Sequence, residues 1–161
     1  MKKIFLYTVF FFLAVCSFAA NELNEKQSAF RRELFSVLGK EGFNPDIDED
    51  GDIKFIYNDA PYYISVDYRW TEPFLITIYN QYTYSEERTK TVMTNSIPVV
   101  GQSKTVKLYC LNKSYMYESE LFCTSANTFR NTFRSILEQL AIARAEVSVI
   151  VSSGMGDLNL A

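Results

Sequence analysis

The chain has 161 residues, with 16 Lys and Arg against 19 Asp and Glu, no histidine, and 48% hydrophobic residues. A mildly acidic balance gives no electrostatic reason to bind nucleic acid or an anionic membrane. A chain without histidine also lacks the commonest general base and the commonest metal ligand, which sets aside a serine hydrolase of the usual triad type.

Residues 1–19 read as a cleavable secretory signal peptide. Lys2 and Lys3 precede the apolar stretch Ile4 to Val15, and small residues follow at Ser17, Ala19 and Ala20. A cut after Ala19 places Ser17 and Ala19 where small side chains are needed, whereas a cut after Ala20 would put Phe18 there. About 12 apolar residues rising about 1.5 Å each cover roughly 18 Å, well short of a hydrocarbon core of about 30 Å. No membrane span is therefore expected after signal removal. The weaker alternative is a lipid-modified Cys16, for which a small residue is wanted where Val15 stands. The expected address is periplasmic or secreted. Cleavage leaves 14 Lys and Arg against 19 acids, a net charge of about −5. The remaining length suits one domain over 20–152 with a flexible tail at 153–161.

From Asn24 to Gly42, apolar Phe30, Leu34, Val37 and Leu38 fall at helical spacing. Asn24 with Gln27 forms the N-terminal cap, and Gly42 closes the helix. The segment Asp46 to Ile53 has the alternate acids and central Gly51 of a calcium loop, but its twelfth position holds Tyr57 where a bidentate Glu is required, and the following residues alternate as a strand. Asp50-Gly51 is instead a hairpin turn. Ile53, Phe55 and Tyr57 alternate in a first strand, followed by a turn at Asn58-Asp59-Ala60-Pro61. The run Tyr62 to Trp70 sets Tyr62, Ile64, Val66 and Tyr68 on one face and Tyr63, Ser65, Asp67 and Arg69 on the other. After Thr71-Glu72-Pro73, Phe74, Ile76 and Ile78 complete a three-stranded antiparallel meander.

Ser85 with Glu86 and Glu87 starts a short helix that ends near Pro98, with Val92, Met93 and Ile97 inward. Val106, Leu108 and Cys110 then alternate, a turn forms around Asn112-Lys113-Ser114, and Tyr115 to Cys123 returns. With a tight turn Cys110 lies opposite Tyr117, so the sulfurs of Cys110 and Cys123 sit roughly 20 Å apart and form no mutual disulfide. Both are expected on the core face. Thr124 or Ser125 caps a long last helix whose Phe129, Phe133, Ile136, Leu137, Leu140 and Val147 form one stripe.

The chemistry of a catalytic site is not legible. Gly39, Gly42 and Gly51 stand in separate turns and make no phosphate loop. Asp67 and Glu72 are acids at strand ends, common on any surface. Cysteines in alternating apolar strands disfavour the thiolate. No catalytic residue, metal ligand or cofactor is assigned. Tyrosine is the unusual feature: Tyr57, Tyr62, Tyr63, Tyr68, Tyr79, Tyr82 and Tyr84 gather with Trp70 in one region. Ordinary sheet packing accounts for many of them. Tyr63 and Tyr79 cannot share a face with Ile64 and Ile78, so some rings look outward. Tyr63, Tyr68, Trp70 and Tyr79 are the candidate binding residues, since large amphipathic rings recur at interfaces.

The element order, with Gly42-Phe43, the acidic segment ending Asp50-Gly51-Asp52-Ile53-Lys54-Phe55, Tyr63-Ile64-Ser65-Val66 and the final amphipathic helix, resembles the YbjN-type family over about Gln27 to Val151. That family is similar in fold to class I type III secretion chaperones. The resemblance implies a small α+β domain of the kind described as sensory transduction regulators, with no active-site residues to transfer. The related chaperones dimerise and hold extended partner segments. They act in the cytoplasm, whereas this chain carries an export signal, so only a peptide- or protein-binding surface carries over. The expected fold class is thus α+β, a helix, three-stranded antiparallel meander, short helix, β-hairpin and long C-terminal helix. The expected role is an exported, non-enzymatic protein-binding or adaptor domain, its partner another protein or a second copy in a homodimer. The alternative is an envelope protein binding carbohydrate or a small ligand on an aromatic sheet face.

Overall fold

The computed structural model describes residues 23–83, 85–100, 103–111 and 113–152. The expected signal peptide, Cys16, Tyr84, Asn112 and the expected tail lie outside them, as does the side chain of Ile97. The elements run α1 Glu25–Lys40, β1 Asp46–Ile47, β2 Ile53–Tyr57, β3 Ala60–Val66, β4 Phe74–Thr83, α2 Glu86–Val100, β5 Lys107–Leu111, β6 Ser114–Cys123 and α3 Ala126–Ser152. The expected α+β layout holds, with one strand more than the meander required. Residues 46 and 47 pair with 54 and 53 as a short edge strand. The six strands form one antiparallel sheet in the order β1-β2-β3-β4-β6-β5, in which the chain leaves β4, passes through α2 and β5, and returns with β6 against β4.

Local chemistry explains most boundaries. Asn24 and Gln27 make a complete capping box at the start of α1. At its end Gly42 adopts φ +88°, and the amides of Gly42 and Phe43 donate to the carbonyls of Gly39 and Leu38, a left-handed closure that suits glycine. Asn58 and Asp59, at φ 47° and 58°, make the two-residue turn between β2 and β3. Positive φ at both central positions is the sign of a turn whose twist matches the flanking strands. Ser125 Oγ accepts the Thr128 amide at 3.2 Å and caps α3.

All three helices lie on one face. From the sheet, Ile53, Phe55, Tyr62, Ile64, Ile76, Ile78 and Tyr117 point into a core completed by Phe30, Leu34 and Leu38 of α1, Val92 of α2 and Phe129, Phe133, Leu137 and Leu140 of α3. Glu41, just past α1, accepts from Arg130 at 2.7 Å and Arg134 at 3.0 Å and so ties that end of α1 to α3. These hydrogen bonds, Arg130's foremost, hold its carboxyl below the usual carboxylate range.

Four expectations need correction. Met93 is exposed. Among the described side chains of α2 the buried ones are Thr89, Val92, Ser96 and Val100. α2 also continues two residues beyond Pro98, to Val100, whose side chain is buried. Tyr68 is not on the core face, since β3 stops at Val66 and the chain turns. Finally, Leu111 pairs with Ser114 across a two-residue loop, so Cys110 faces Tyr115, not Tyr117. Cys110 and Cys123 then stand eight positions apart along β6, about 26 Å, and both thiols are free on the core side.

Candidate binding face

The strand residues that point away from the helices form a second face, which no described element covers. Alternation places Lys54, Tyr63, Ser65, Thr77, Tyr79, Gln81, Met116, Glu118 and Phe122 there, because each neighbours a core residue in its strand. Register assembles one row across the whole sheet: Asp46, Lys54, Tyr63, Tyr79, Glu118 and Lys107 are successive cross-strand partners. At its centre the rings of Tyr63 and Tyr79 stack at 5.1 Å with planes 18° apart. Ile56, at 58% exposure, and Phe122, at 53%, are the most open apolar side chains of this face among the described residues.

The tyrosine pair is held by a carboxylate. Tyr79 donates its hydroxyl proton to Asp52 Oδ2 at 2.7 Å. Burial pushes the Asp52 carboxyl above its ordinary value, opposed by hydrogen bonds from Tyr79 and Ser65. The Tyr79 phenol is raised in turn, by burial and then by that bond. Glu118, buried beside Tyr79, is also raised, first by burial. The turn carrying Asp52 is pinned by Asp48, whose Oδ1 accepts the amides of Asp50 at 3.0 Å and Asp52 at 2.9 Å. Asp48, Asp50, Tyr63, Tyr79, Gln81 and Thr83 together line a hollow of about 270 Å³.

The Asp52 shift sets a pH dependence. An acid raised on folding binds its proton more tightly in the native state, so its contribution is full below the unfolded value and is lost as pH rises through the raised folded value. Asp52→Asn, which keeps an acceptor for Tyr79, should therefore gain stability relative to the parent as pH climbs upward from the ordinary aspartate range through that window. Paired urea titrations at stepped pH test this; a difference that stays constant or shrinks with pH would refute it.

Trp70 and Tyr68 lie elsewhere, in the connection between β3 and β4. Gln27 Nε2 from α1 donates to the carbonyls of Asp67, Tyr68 and Trp70 and shapes that loop. Trp70 packs edge-on against Phe122 at 5.1 Å, and Arg69 lies 5.9 Å from the Tyr68 ring. Phe122 pairs with Leu75, four residues from Tyr79 along β4, so the two aromatic groups stand about 13 Å apart. Of the four candidate residues the structure thus joins Tyr63 with Tyr79 and leaves Tyr68 and Trp70 separate. Sequence reasoning misses Phe122 and Asp52. Alternation against Cys123 is a signal for Phe122, whereas the Asp52 contact depends on how the turn folds. Beyond the end of β5, the edge of β6 from Ser119 to Phe122 borders a second hollow of about 410 Å³, lined also by Leu75, Lys104, Lys107 and Ile136.

Burial pushes the Cys123 thiol up to about 11 and raises that of Cys110, so neither is primed as a nucleophile. Among the described residues no cluster of three or more acids or cysteines is placed to hold a metal ion, and no helix is long and apolar enough to cross a membrane.

Fold and face together define an α+β domain with three helices on one side of a six-stranded antiparallel sheet and, on the other, a tyrosine-bearing surface that no described element covers. Compared with protein-family models, curated proteins and solved structures, the chain finds no match.

Proposed function

We propose that this chain is an exported, non-enzymatic binding domain that holds an extended segment of a partner protein across the open face of its sheet. The observation that carries the proposal is a sheet face that no described element covers, with rings already fixed in place. A stacked pair held by a carboxylate loses little further freedom on binding, which is what makes such side chains effective anchors. Two aromatic groups about 13 Å apart along the direction of β4 favour an extended ligand that runs along the strand over a single sugar ring. The export address rests on residues 1–19, and kinship with the YbjN-type family is part of the same proposal.

Affinity capture from envelope extract, with the retained proteins identified by mass spectrometry, tests it. The double variant Tyr79→Ala/Phe122→Ala should lose a stoichiometric partner by about tenfold or more while keeping its far-ultraviolet circular dichroism. Equal retention by parent and variant would remove the sheet face from the reading. A bait that retains no protein but binds a glycan would replace it with the carbohydrate alternative.

A further inference from the structure

The open face is not uniform in charge. The turn between β1 and β2 brings Asp48 and Asp50 to line the same hollow as the stacked rings of Tyr63 and Tyr79. Among the described residues no lysine or arginine lines that hollow and none forms an ion pair with Asp48 or Asp50. Arg31, the cation that reaches this turn, uses its guanidinium on the Gly51 carbonyl at 2.6 Å. Lys54 stands on the same face opposite Tyr63, with Asp46 as its own cross-strand neighbour. The two acids therefore make this end of the hollow negative, with no ion-pair partner among the described residues.

The aromatic lining suits the same sign. An aromatic ring presents a negative face, and a cation above tyrosine is attracted to it. The Tyr79 hydroxyl donates to Asp52, which pushes electron density into that ring and keeps the phenol from turning its proton toward a guest. Gln81 and Thr83 close the hollow with neutral groups able to accept N–H bonds. Its volume of about 270 Å³ falls just below the range of pockets that enclose whole drug-sized ligands, about 300 to 1,000 Å³, and matches one long side chain.

We infer that this hollow receives a lysine or arginine side chain of the partner segment, its charge between Asp48 and Asp50 and its stem on the Tyr63–Tyr79 pair. This rests on the binding face proposed above, and it names the partner's chemistry: an extended, basic segment.

The test uses the protein in the form the expressing cell delivers, labelled with nitrogen-15 and titrated with n-butylammonium chloride, methylguanidinium chloride and neutral 1-butanol. The two cations should shift the amide signals of Tyr63, Tyr79 and Gln81 saturably, and 1-butanol should not. Asp48→Asn/Asp50→Asn should weaken both cations by about threefold or more. The Asp48→Asn change keeps the side-chain oxygen that pins the turn; if the Gly51 amide nevertheless moves, Asp50→Asn alone carries the comparison. Equal shifts by butanol, or equal affinity in the variants, would overturn the inference. Partner capture that is lost in Tyr79→Ala but unchanged in the double acid variant overturns the cation hollow and leaves the binding face standing. Saturable cation binding with no protein captured by either form upholds the hollow and overturns the protein-binding reading.

Discussion

Phe133→Ala is expected to lower the unfolding free energy by about 4 kcal/mol, in the range of about 3 to 5 typical of buried Phe truncations. Phe133 is 1% exposed and lies where three separate stretches of chain converge. Its ring meets Phe43, after α1, at 5.5 Å and Phe55 of β2 at 5.7 Å, both edge to face, and Phe129 one turn earlier in α3 at 4.8 Å. Such pairs add about 0.5 to 1.5 kcal/mol beyond area burial. The site cannot easily collapse on alanine, because Phe43 is set by the Gly42 turn and Phe55 by its pairing with Tyr62. The loss should appear in urea melts as a lower midpoint with an unchanged slope. Phe122→Ala, on the open face, gives the contrast: about 1 kcal/mol or less, since its ring is 53% exposed. Near-equal losses for the two variants would mean that the open face is packed as tightly as the core.

How much of this is legible in the sequence depends on the range over which each feature is decided. The Asn24 to Gln27 cap, the Gly42 closure, the Asp50-Gly51 turn and the alternation of residues 53–57 and 62–66 are settled within a few residues, and sequence reasoning finds them. Rejecting a calcium loop at Asp46 to Tyr57 is also a local judgment, and the segment continues as strand. The two-residue β1 is not visible, because it exists only through pairing with Ile53 and Lys54. Nor is the placement of β6 beside β4, which depends on how α2 crosses the core. A single turn residue decides the last hairpin: Ser114 belongs to the strand, and that moves every cross-strand partner by two.

The candidate surface divides in the same way. Alternation alone sends Tyr63 and Tyr79 outward. Their direct pairing is a register fact, fixed by a connection whose conformation no pattern announces. Tyr68 and Trp70 read as a continuation of the strand because their types favour sheet, yet the chain turns after Val66 when the Asp67 carboxylate accepts the Arg69 amide at 2.8 Å. Asp52 reads in sequence as one acid among several, and only its contact with Tyr79 distinguishes it.

Gln27→Ala is the second large effect, about 3 kcal/mol of stability, and it tests whether one polar side chain builds the connection that carries Trp70. Gln27 is fully buried. Its Oε1 accepts the Asn24 amide at 2.9 Å, and its Nε2 donates to the carbonyls of Tyr68 at 2.8 Å, Trp70 at 2.9 Å and Asp67 at 3.2 Å. A net hydrogen bond is worth about 1 kcal/mol, and a buried acceptor stripped of its donor costs about 1 to 3 more. Alanine removes half of the capping box together with the donor that three carbonyls share, so the estimate exceeds the loss from a cap alone. Asn24→Ala, which removes the other half of the box and an exposed bond from Asn24 Nδ2 to Thr71 Oγ1 at 3.2 Å but leaves the three Gln27 bonds to the loop carbonyls in place, should cost about 1 kcal/mol. Gln27→Glu keeps the cap acceptor but turns a carboxylate toward three carbonyl oxygens, and should be no better than alanine. Trp70 is the single tryptophan of the chain, so its emission reports this loop directly. In Gln27→Ala the emission should shift red below the global unfolding transition, as Trp70 leaves the edge of Phe122. A variant that loses less than about 1 kcal/mol with unshifted emission would show that the loop holds its shape without Gln27, through bonds such as those of Asp67 to Arg69 and of Lys26 to Glu72.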